Sequence, residues 1–417
     1  MSMRYRTASV LAVALALLGG ISSAEDVSEG RVRFYNIADS DFDRYSKAPG
    51  DSEQQWMRET YIRMQTYTPY FDRRLDWYPN AWVYKDSYSI KPHWQIFREH
   101  PEWVLRDADG NMLFIPWGCR DGSCPQYAAD LGNPAFRANW IAEAKRLVEL
   151  GYRGIWVDDV NLTWRVSDGD GEHVRPINPR TGEPMTLPEW RENFAVFMEE
   201  IRAAFPAIEI AHNSIWYAVP FDDPVLTRQI DAADFINLER GASDPGLTDG
   251  DGKWSFERFL AFIDLVQSRD RAAVLMDYGK TPAQRMFGLA AWFLISRGQD
   301  MIASNQLEWS APDAFWRGYA LDLGPATSER FRWRGMWRRD FRCGTALLNP
   351  PGGWTQQLSM PSGYRRIGGE PAGNLRVKGR EAVVLLRDCE SASDAGGAQS
   401  RSAPSNSEPP NSGQSKK

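Results

Sequence analysis

The chain has 417 residues, enough for one large domain with a smaller one attached. Its 55 acidic residues outnumber 49 basic ones, and the resulting net charge of −6 argues against a nucleic-acid partner. Aromatic residues make up 12% of the chain and include 18 Trp, which either fill a large core or bind the flat apolar faces of ligands.

The N-terminus has the pattern of a secretory signal peptide. Arg4 and Arg6 give a positive start, residues 10–18 are apolar, and small residues at 22–24 suit a cleavage site. The apolar run is too short to span a bilayer, and no later segment is long and apolar enough to do so. The sequence therefore predicts a signal peptide over 1–24, no membrane span in the mature chain, and a periplasmic or secreted location.

Four cysteines, an even number, are compatible with disulfides in an exported chain. Cys119 and Cys124 lie close together in a predicted loop, and Cys343 and Cys389 bracket the C-terminal segment. We predict the pairs 119–124 and 343–389. The spacing fits no zinc motif, so we predict no metal site and no cofactor.

Short apolar strands alternate with amphipathic helices from Arg31 onward. The predicted strands, in chain order, cover 31–38, 81–85, 128–131, 154–158, 208–211, 235–238, 272–276 and 301–303. Helices are predicted over 55–64 and after most later strands, for example behind Asn133-Pro134 and behind the capping box of Thr186 and Glu189. Eight strands in this order predict a (β/α)₈ TIM barrel. An open doubly wound sheet is the alternative, weakened because no glycine-rich phosphate loop follows the first strand.

The pattern changes after residue 341. Short strands between Gly/Pro turns, at 344–348, 355–360, 364–367 and 382–387, predict a small C-terminal antiparallel β-sandwich over 341–389. The barrel domain then covers 25–340. Residues 390–417 are rich in Ser, Gly, Pro and Asn, which predicts a disordered tail.

Polar side chains follow the predicted strands directly. They are Asp39, Asp86, Asp130, Asp158, Asn213, Glu239, Asp277 and Asn305. In a barrel the strand ends converge on one face, where the chemistry of such folds is found. The strand at 154–158 is the strongest case, because an apolar run ends in two carboxylates, with Asn161 just beyond. A capping or salt-bridging role for Asp158 is the alternative.

Two carboxylates flanking a glycosidic bond are the minimum for its hydrolysis. We assign Asp158 as nucleophile or base and Glu239 as general acid. Arg240 would lower the pKa of Glu239 unless it points away, and Asp277 is the competitor for the acid role. Asp159 is expected to point away from Asp158, as neighbours along a strand do, and ranks second for the role of nucleophile.

The remaining candidates are assigned to substrate binding. They are Asp39, Asp86, Asp130, Asp159, Asn161, Asn213, Trp216, Asp277 and Asn305. We expect Asn213 to bind a sugar hydroxyl. Trp216 is either a platform for a sugar ring or a packing residue.

The chain resembles hypothetical bacterial glycosyl hydrolases that are distantly similar to polygalactosaminidase, α-galactosidase and α-amylase barrels. The resemblance is carried by residues 154–158 at strand four, by 130–134 at the third-strand turn, and by 344–386 at the end. In such barrels the strand-four Asp is the nucleophile and a strand-six acid donates the proton. Asp158 matches the first role and Glu239 the second in position, although those barrels more often carry Asp there.

The sequence thus predicts an exported glycoside hydrolase acting on a polysaccharide or oligosaccharide, α-linked by analogy with those families. One alternative is a non-catalytic carbohydrate-binding protein on a degenerate barrel. Another is a metal-dependent polysaccharide deacetylase. The sequence leaves open the sugar, the linkage, endo or exo action, retention or inversion, and the oligomeric state.

Overall fold

The structure, a computed structural model, describes residues 28–39 and 42–389. The predicted signal peptide over 1–24 and the predicted tail over 390–417 lie outside the described residues. Within the described ranges, no helix has the length and apolar character needed to cross a bilayer.

Strands and helices alternate over most of the described chain. The strands are β1 (Phe34–Ala38), β2 (Tyr61–Thr66), β3 (Ala81–Asp86), β4 (Ser89–Ile90), β5 (Tyr127–Ala128), β6 (Gly154–Asp158), β7 (Glu209–Asn213), β8 (Phe235–Arg240), β9 (Ala272–Asp277), β10 (Met301–Ser304), β11 (Phe331–Trp333), β12 (Met336–Phe341), β13 (Gly344–Asn349), β14 (Gln356–Ser359), β15 (Arg365–Arg366), β16 (Asn374–Val377) and β17 (Glu381–Leu386). The helices are α1 (Asp43–Ser46), α2 (Asp51–Thr60), α3 (Gln95–Glu99), α4 (Pro134–Glu149), α5 (Leu187–Ala204), α6 (Pro224–Asp231), α7 (Phe256–Ser268), α8 (Pro282–Ile295) and α9 (Leu307–Ser310). Short 3₁₀ helices cover Asp72–Arg74, Pro101–Trp103 and Arg317–Ala320.

Eight parallel strands close into a barrel in the order β1-β10-β9-β8-β7-β6-β3-β2, which confirms the predicted TIM barrel. Alternate residues of these strands point inward and fill the interior. They include Tyr35, Trp82, Trp156, Phe235, Val274 and Met276. Gly154 begins β6 at a crowded point, since a Cβ there would lie 2.5 Å from the Glu209 carbonyl oxygen and 2.6 Å from the Trp82 ring. Only glycine lets these three strands approach so closely.

Two of the predicted elements are wrong. The strand predicted at 128–131 is not in the barrel, because β5 pairs with β4 in a separate antiparallel ribbon. The helix predicted over 55–64 ends at Thr60, and β2 follows it directly as the second barrel strand. The polar residues of β2 do not resemble those of a buried strand, so β2 was not predicted. Their hydrogen-bond partners, Glu209 for Arg63 and Tyr35 for Gln65, are distant in sequence.

The C-terminal region is an antiparallel β-sandwich, as predicted. A five-stranded sheet, β11-β12-β13-β17-β15, faces the two-stranded sheet β14-β16 across an apolar layer that includes Leu347, Leu358, Leu375 and Leu385. Its first strand, β11, lies upstream of residue 341, where the sequence pattern changes. The other face of the larger sheet packs on α8, where Phe293 and Phe341 meet with ring centroids 5.4 Å apart.

Both predicted disulfides, Cys119–Cys124 and Cys343–Cys389, are present. The second ties the beginning of β13 to the residues after β17. The first closes a loop in the long segment between β4 and β5, residues 91–126, which we call the insertion.

Candidate active site

A cleft of about 890 Å³ opens at the carboxyl ends of the barrel strands, where TIM barrels place their chemistry. We divide it into two parts. The barrel end is lined by side chains from strand ends, among them Tyr84, Asp86, Trp156, Asp158, Asp159, Asn213 and Glu239. The insertion end is lined by Lys91, Trp94, Trp117 and Gln126 of the insertion and by Asn139 and Glu143 of α4.

Strand alternation places Asp158 in the barrel end. Trp156 points into the barrel interior, so the side chain two residues later, Asp158, points the same way at the top of β6. The same parity on β8 puts Glu239 above Phe235, and both carboxylates line the cleft. The structure therefore brings the two predicted catalytic residues into one opening.

The side-chain amide of Asn213 links the two carboxylates. Its Nδ2 donates to Asp158 Oδ1 at 2.7 Å and to Glu239 Oε2 at 3.3 Å. The sum of these distances, about 6 Å, is the largest separation that the two oxygens can have. Asn237 Nδ2 donates to Asn213 Oδ1 at 2.8 Å, which fixes the amide orientation. Asn213 is thus a residue that positions both acids.

Asp158 is surrounded by donors. Besides Asn213, the backbone N–H of Asp159 donates to Oδ1 and the Tyr84 hydroxyl donates to Oδ2, each at 2.8 Å. Burial, followed by the charge of Asp158, raises the pKa of Tyr84 far above its ordinary value, so its hydroxyl keeps its proton and donates. A carboxylate that accepts three hydrogen bonds suits the ionised form, which is an acceptor only.

Glu239 has a more open environment than Asp158. It is half-buried at the end of β8 and accepts the longer of the two Asn213 bonds. The adjacent Arg240 is exposed, and its guanidinium lies 3.9 Å from the Asp244 carboxylate. Arg240 also has a positive φ of 73°, which turns the chain at the strand end. The guanidinium is thus engaged by another acid.

The expectation that Asp159 points away from the cleft is wrong. Asp159 adopts φ 56°, the left-handed region, so strand alternation ends at Asp158 and both side chains line the cleft. Its carboxylate pairs with the Arg165 guanidinium at 2.9 Å. Burial first, and then the charge of Asp158, raises the pKa of Asp159 to about 7, with Arg165 opposing the rise.

Asp86 completes a group of carboxylates at the barrel end. It ends β3 and is buried, and its Oδ1 accepts the backbone N–H groups of Tyr88 and Ser89 at 2.9 and 2.8 Å. Burial is the main cause that raises the pKa of Asp86, followed by the charges of Asp159 and Asp158. Acids crowded in this way ionise at different pH values, which allows one to hold a proton while another is charged.

We predict that this crowding makes stability depend on pH. A carboxyl whose pKa is raised by folding stabilises the fold fully below its unfolded value, about 4, and this contribution is lost as pH rises to about 7. Unfolding free energy should therefore fall from pH 4.5 to 8, and Asp159→Asn should reduce the fall by about 3 kcal/mol. Urea unfolding at several pH values measures it. The exposed Asp109→Asn is the control, and an unchanged slope in Asp159→Asn would contradict the prediction.

Asp130 lies outside the barrel, because the segment that carries it does not form a barrel strand. The carboxylate is buried, pairs with Arg180 at 2.8 Å and accepts the N–H of Gly132 at 2.9 Å. It is not among the residues that line the cleft. The structure gives it a local role in holding the turn before α4.

Asp277 also faces away from the cleft. On β9 the inward residues are Val274 and Met276, so Asp277 points outward to α8, where a Cβ on Gly288 would lie 2.4 Å from its Oδ2. Its Oδ1 accepts the N–H of Ser243 at 2.7 Å, and burial raises its pKa to about 6. Asp277, the competitor for the acid role, is therefore on the outward side of β9 and does not reach the cleft.

Four other predicted substrate-binding residues do not line the cleft. Trp216 is fully buried and donates to the Val160 carbonyl at 3.2 Å, which makes it a packing residue. Asn161 Nδ2 donates to the Asp159 carbonyl at 2.9 Å and supports the turn there. Asn305 is exposed beyond β10. Asp39 lies near Tyr67, whose pKa is raised to about 12 by burial first, then by Asp158 and Asp39.

Four residues that line the cleft were not predicted from the sequence, namely Tyr84, Arg165, Trp94 and Trp117. Tyr84 could have been found, because it lies two residues before Asp86 on a predicted strand and must share its face. Arg165 and the two tryptophans lie in long loops, where no periodic signal exists. In the described part of the chain, no group of three or more His, Cys, Asp or Glu is arranged to hold a metal ion.

Solved structures with a similar arrangement include three glycosidase chains. The glycoside hydrolase domain of PelA from Pseudomonas aeruginosa is 12% identical, with 66% of this chain and 94% of that chain covered and a TM-score of 0.41. An alpha-amylase from Lactobacillus plantarum is 13% identical (86% and 98% covered, TM-score 0.45). TtGalA, an alpha-galactosidase from Thermus thermophilus in complex with stachyose, is 14% identical (70% and 65% covered, TM-score 0.41). Sequence identities and TM-scores this low give no information about the activity of this chain.

The sequence itself gives the more specific comparison. No curated protein matches it. A family model, described as Hypothetical glycosyl hydrolase family 15, matches residues 85–345, well over half of the chain. That range runs from the end of β3 into β13 and includes Asp158, Asn213 and Glu239. The chain therefore belongs to hypothetical glycosyl hydrolase family 15 and is a glycoside hydrolase.

Proposed function

We propose that the protein is an exported, retaining glycoside hydrolase that cleaves O-glycosidic bonds of a polysaccharide or oligosaccharide with Asp158 and Glu239. The observation that carries this proposal is the Asn213 amide, which hydrogen-bonds both carboxylates and limits their nearest oxygens to about 6 Å. Retaining enzymes hold their carboxyls about 5–5.5 Å apart, whereas inverting enzymes need about 6.5–9.5 Å to admit a water. The upper limit on the distance between the two carboxylate oxygens supports retention.

In the first step Asp158 Oδ attacks the anomeric carbon while Glu239 gives its proton to the leaving oxygen. The glycosidic C–O bond breaks, and an ester forms between the sugar and Asp158. In the second step Glu239, now ionised, takes a proton from water, and the water oxygen displaces Asp158. Tyr84 and Asn213 keep the nucleophile aimed by occupying its two oxygens with donors.

Asp159 supports Asp158 and Glu239 but forms no covalent bond in the proposed reaction. Its carboxylate pairs with Arg165, whereas Asp158 is the acid that Asn213 joins to Glu239, and for this reason we assign the attack to Asp158. After burial, the charges of Asp158 and Glu239 contribute to its raised pKa of about 7, so above that pH it adds a negative charge beside them. Negative charge at this position also stabilises the positive charge that develops on the sugar ring in the transition state.

Export is part of the proposal and rests on two features. The first 24 residues have the charge and apolar pattern of a signal peptide. The two disulfides suit an oxidising compartment such as the periplasm or the exterior. The mature enzyme would then meet polysaccharides outside the cytoplasm.

The test is hydrolysis followed by product stereochemistry. Purified protein, incubated in chelator with a panel of soluble polysaccharides, is expected to release reducing ends from at least one, and the first product seen by ¹H NMR should keep the anomeric configuration of the substrate. An inverted first product would contradict retention. Release of acetate without reducing ends would favour the deacetylase alternative, and binding without any product the non-catalytic one.

A further inference from the structure

The insertion end of the cleft carries aromatic rings that the chemistry at Asp158 and Glu239 does not use. Trp117 is 62% exposed and Trp94 is half-buried, and both line the cleft. A large ring left in water forgoes about 25 cal/mol for each Å² of apolar surface that could be covered. Exposed apolar surface beside polar groups in a cleft is typical of a ligand-binding wall.

The chain around Trp117 is held in place before any ligand arrives. The Cys119–Cys124 disulfide closes the loop that follows it, and Gly118 adopts φ 64°, which admits the turn into that loop. Behind it, Phe114 and Ser167 exchange two backbone hydrogen bonds at 2.8 Å, so the insertion is tied to the loop that supplies Arg165 to Asp159. A backbone held in this way needs little ordering when a ligand binds to the ring.

Both tryptophans belong to one packed unit. Trp94 directly precedes α3, and the next turn of that helix places Phe97 on Tyr127, with ring centroids 4.9 Å apart. Tyr127 in turn stacks on Phe114 at 4.7 Å. This stack packs the segment that carries Trp94 and the segment that carries Trp117 on the same residue of β5.

Polar groups accompany the rings at this end of the cleft. Lys85 faces out of the barrel and pairs with Glu143 of α4 at 2.7 Å, and both line the cleft with Gln126 and Asn139. Sugars need this combination, because their ring faces carry C–H groups and their edges carry hydroxyls that donate and accept.

We infer that the insertion end binds sugar rings beyond the bond that is cleaved, by stacking them on Trp117 and Trp94. This inference rests on the proposed function of the barrel end. It narrows the substrate to a glycan chain several units long, lying from the barrel mouth across the rim to α4. A cleft of about 890 Å³ is near the upper end of ligand sites, about 300–1,000 Å³, which is more than a single sugar ring fills.

Affinity electrophoresis separates this binding from catalysis. The Asp158→Asn variant, which should leave polymers uncut, is run through native gels that contain soluble starch, pullulan, dextran, galactan or glycol chitosan. We expect retardation by at least one polymer, and about tenfold weaker binding when Trp117→Ala or Trp94→Ala is added. Short oligosaccharides of the polymer that slows the protein should compete with that polymer for binding, and its monosaccharide should not.

Trp354→Ala is the matched control, since this tryptophan is 88% exposed on the C-terminal region and does not line the cleft. Circular dichroism and thermal unfolding verify that each variant folds. Retardation by no polymer, or retardation that neither cleft variant weakens, would overturn the inference. Reducing-end release by the wild type is scored separately. If the gel polymer slows the protein in a Trp117-dependent way but no hydrolysis occurs, the proposed function alone is refuted. If hydrolysis occurs but neither tryptophan affects migration, this inference alone is refuted.

Discussion

Asp158→Asn is expected to lower kcat by about 10⁴-fold or more, because the amide cannot form the ester that carries the sugar between the two steps. The fold should survive, since Asn has nearly the same shape and its oxygen can accept the bonds that Asn213 and the Asp159 N–H now make. Its NH₂ group can donate to the Tyr84 oxygen in place of the present bond. Steady-state kinetics with thermal unfolding measure both outcomes.

Asp159→Asn is the sharpest comparison for that result, because it makes the same chemical change one residue away in the same cleft. Its carboxylate is engaged by Arg165, so we expect a much smaller loss of kcat, about tenfold or less. Asp109→Asn, on the exposed surface, should have no effect. A large loss in Asp159→Asn with near-normal turnover in Asp158→Asn would exchange the two roles.

The position of the proposed catalytic pair could be predicted because it depends on local pattern alone. An apolar run that ends in Asp158 identifies a buried strand, and the parity of that strand fixes which side chains face the barrel interior. The same rule applied to β9 would have removed Asp277, since Met276 takes the inward position. Asp158 lies on the fourth barrel strand both in the prediction and in the structure. The prediction omitted β2 but counted residues 128–131 as a barrel strand, so the two errors cancel in the count.

The rest of the site depends on contacts that join distant parts of the chain. The positive φ of Asp159 turns its carboxylate into the cleft and follows from no residue preference, since Asp is only one of several residues that tolerate this region. Its partner Arg165 comes from a loop without periodicity. The insertion reaches the cleft through side-by-side loops held by Phe114 and Ser167, a pairing that the sequence does not encode in any regular spacing.

Asn213 makes contacts that the sequence could not predict. Its amide is already occupied, with both hydrogens directed at Asp158 and Glu239 and its oxygen bound by Asn237. A side chain satisfied in this way sets the distance between the acids, and with it the stereochemical outcome that the proposal assigns. The two hydrogen bonds from the amide also differ in length, 2.7 Å to Asp158 and 3.3 Å to Glu239, so Asp158 is held more firmly than Glu239.

Glu239→Gln should produce a loss of activity that depends on the leaving group. With a natural sugar leaving group, kcat/KM should fall by about 10²–10⁴-fold, because Glu239 is the carboxyl to which we assign the proton transfer. With a dinitrophenyl glycoside of the same sugar, whose leaving oxygen needs no proton, the first step should be nearly unaffected. The second step should then be slow, since water has lost its general base, and added azide, which needs none, should restore turnover.

Glu149→Gln, on the exposed end of α4, is the matched control for this result and should keep wild-type activity with both leaving groups. If Glu239→Gln lowered activity equally for both leaving groups and azide had no effect, the residue would bind or position the substrate, and another group would have to provide the proton.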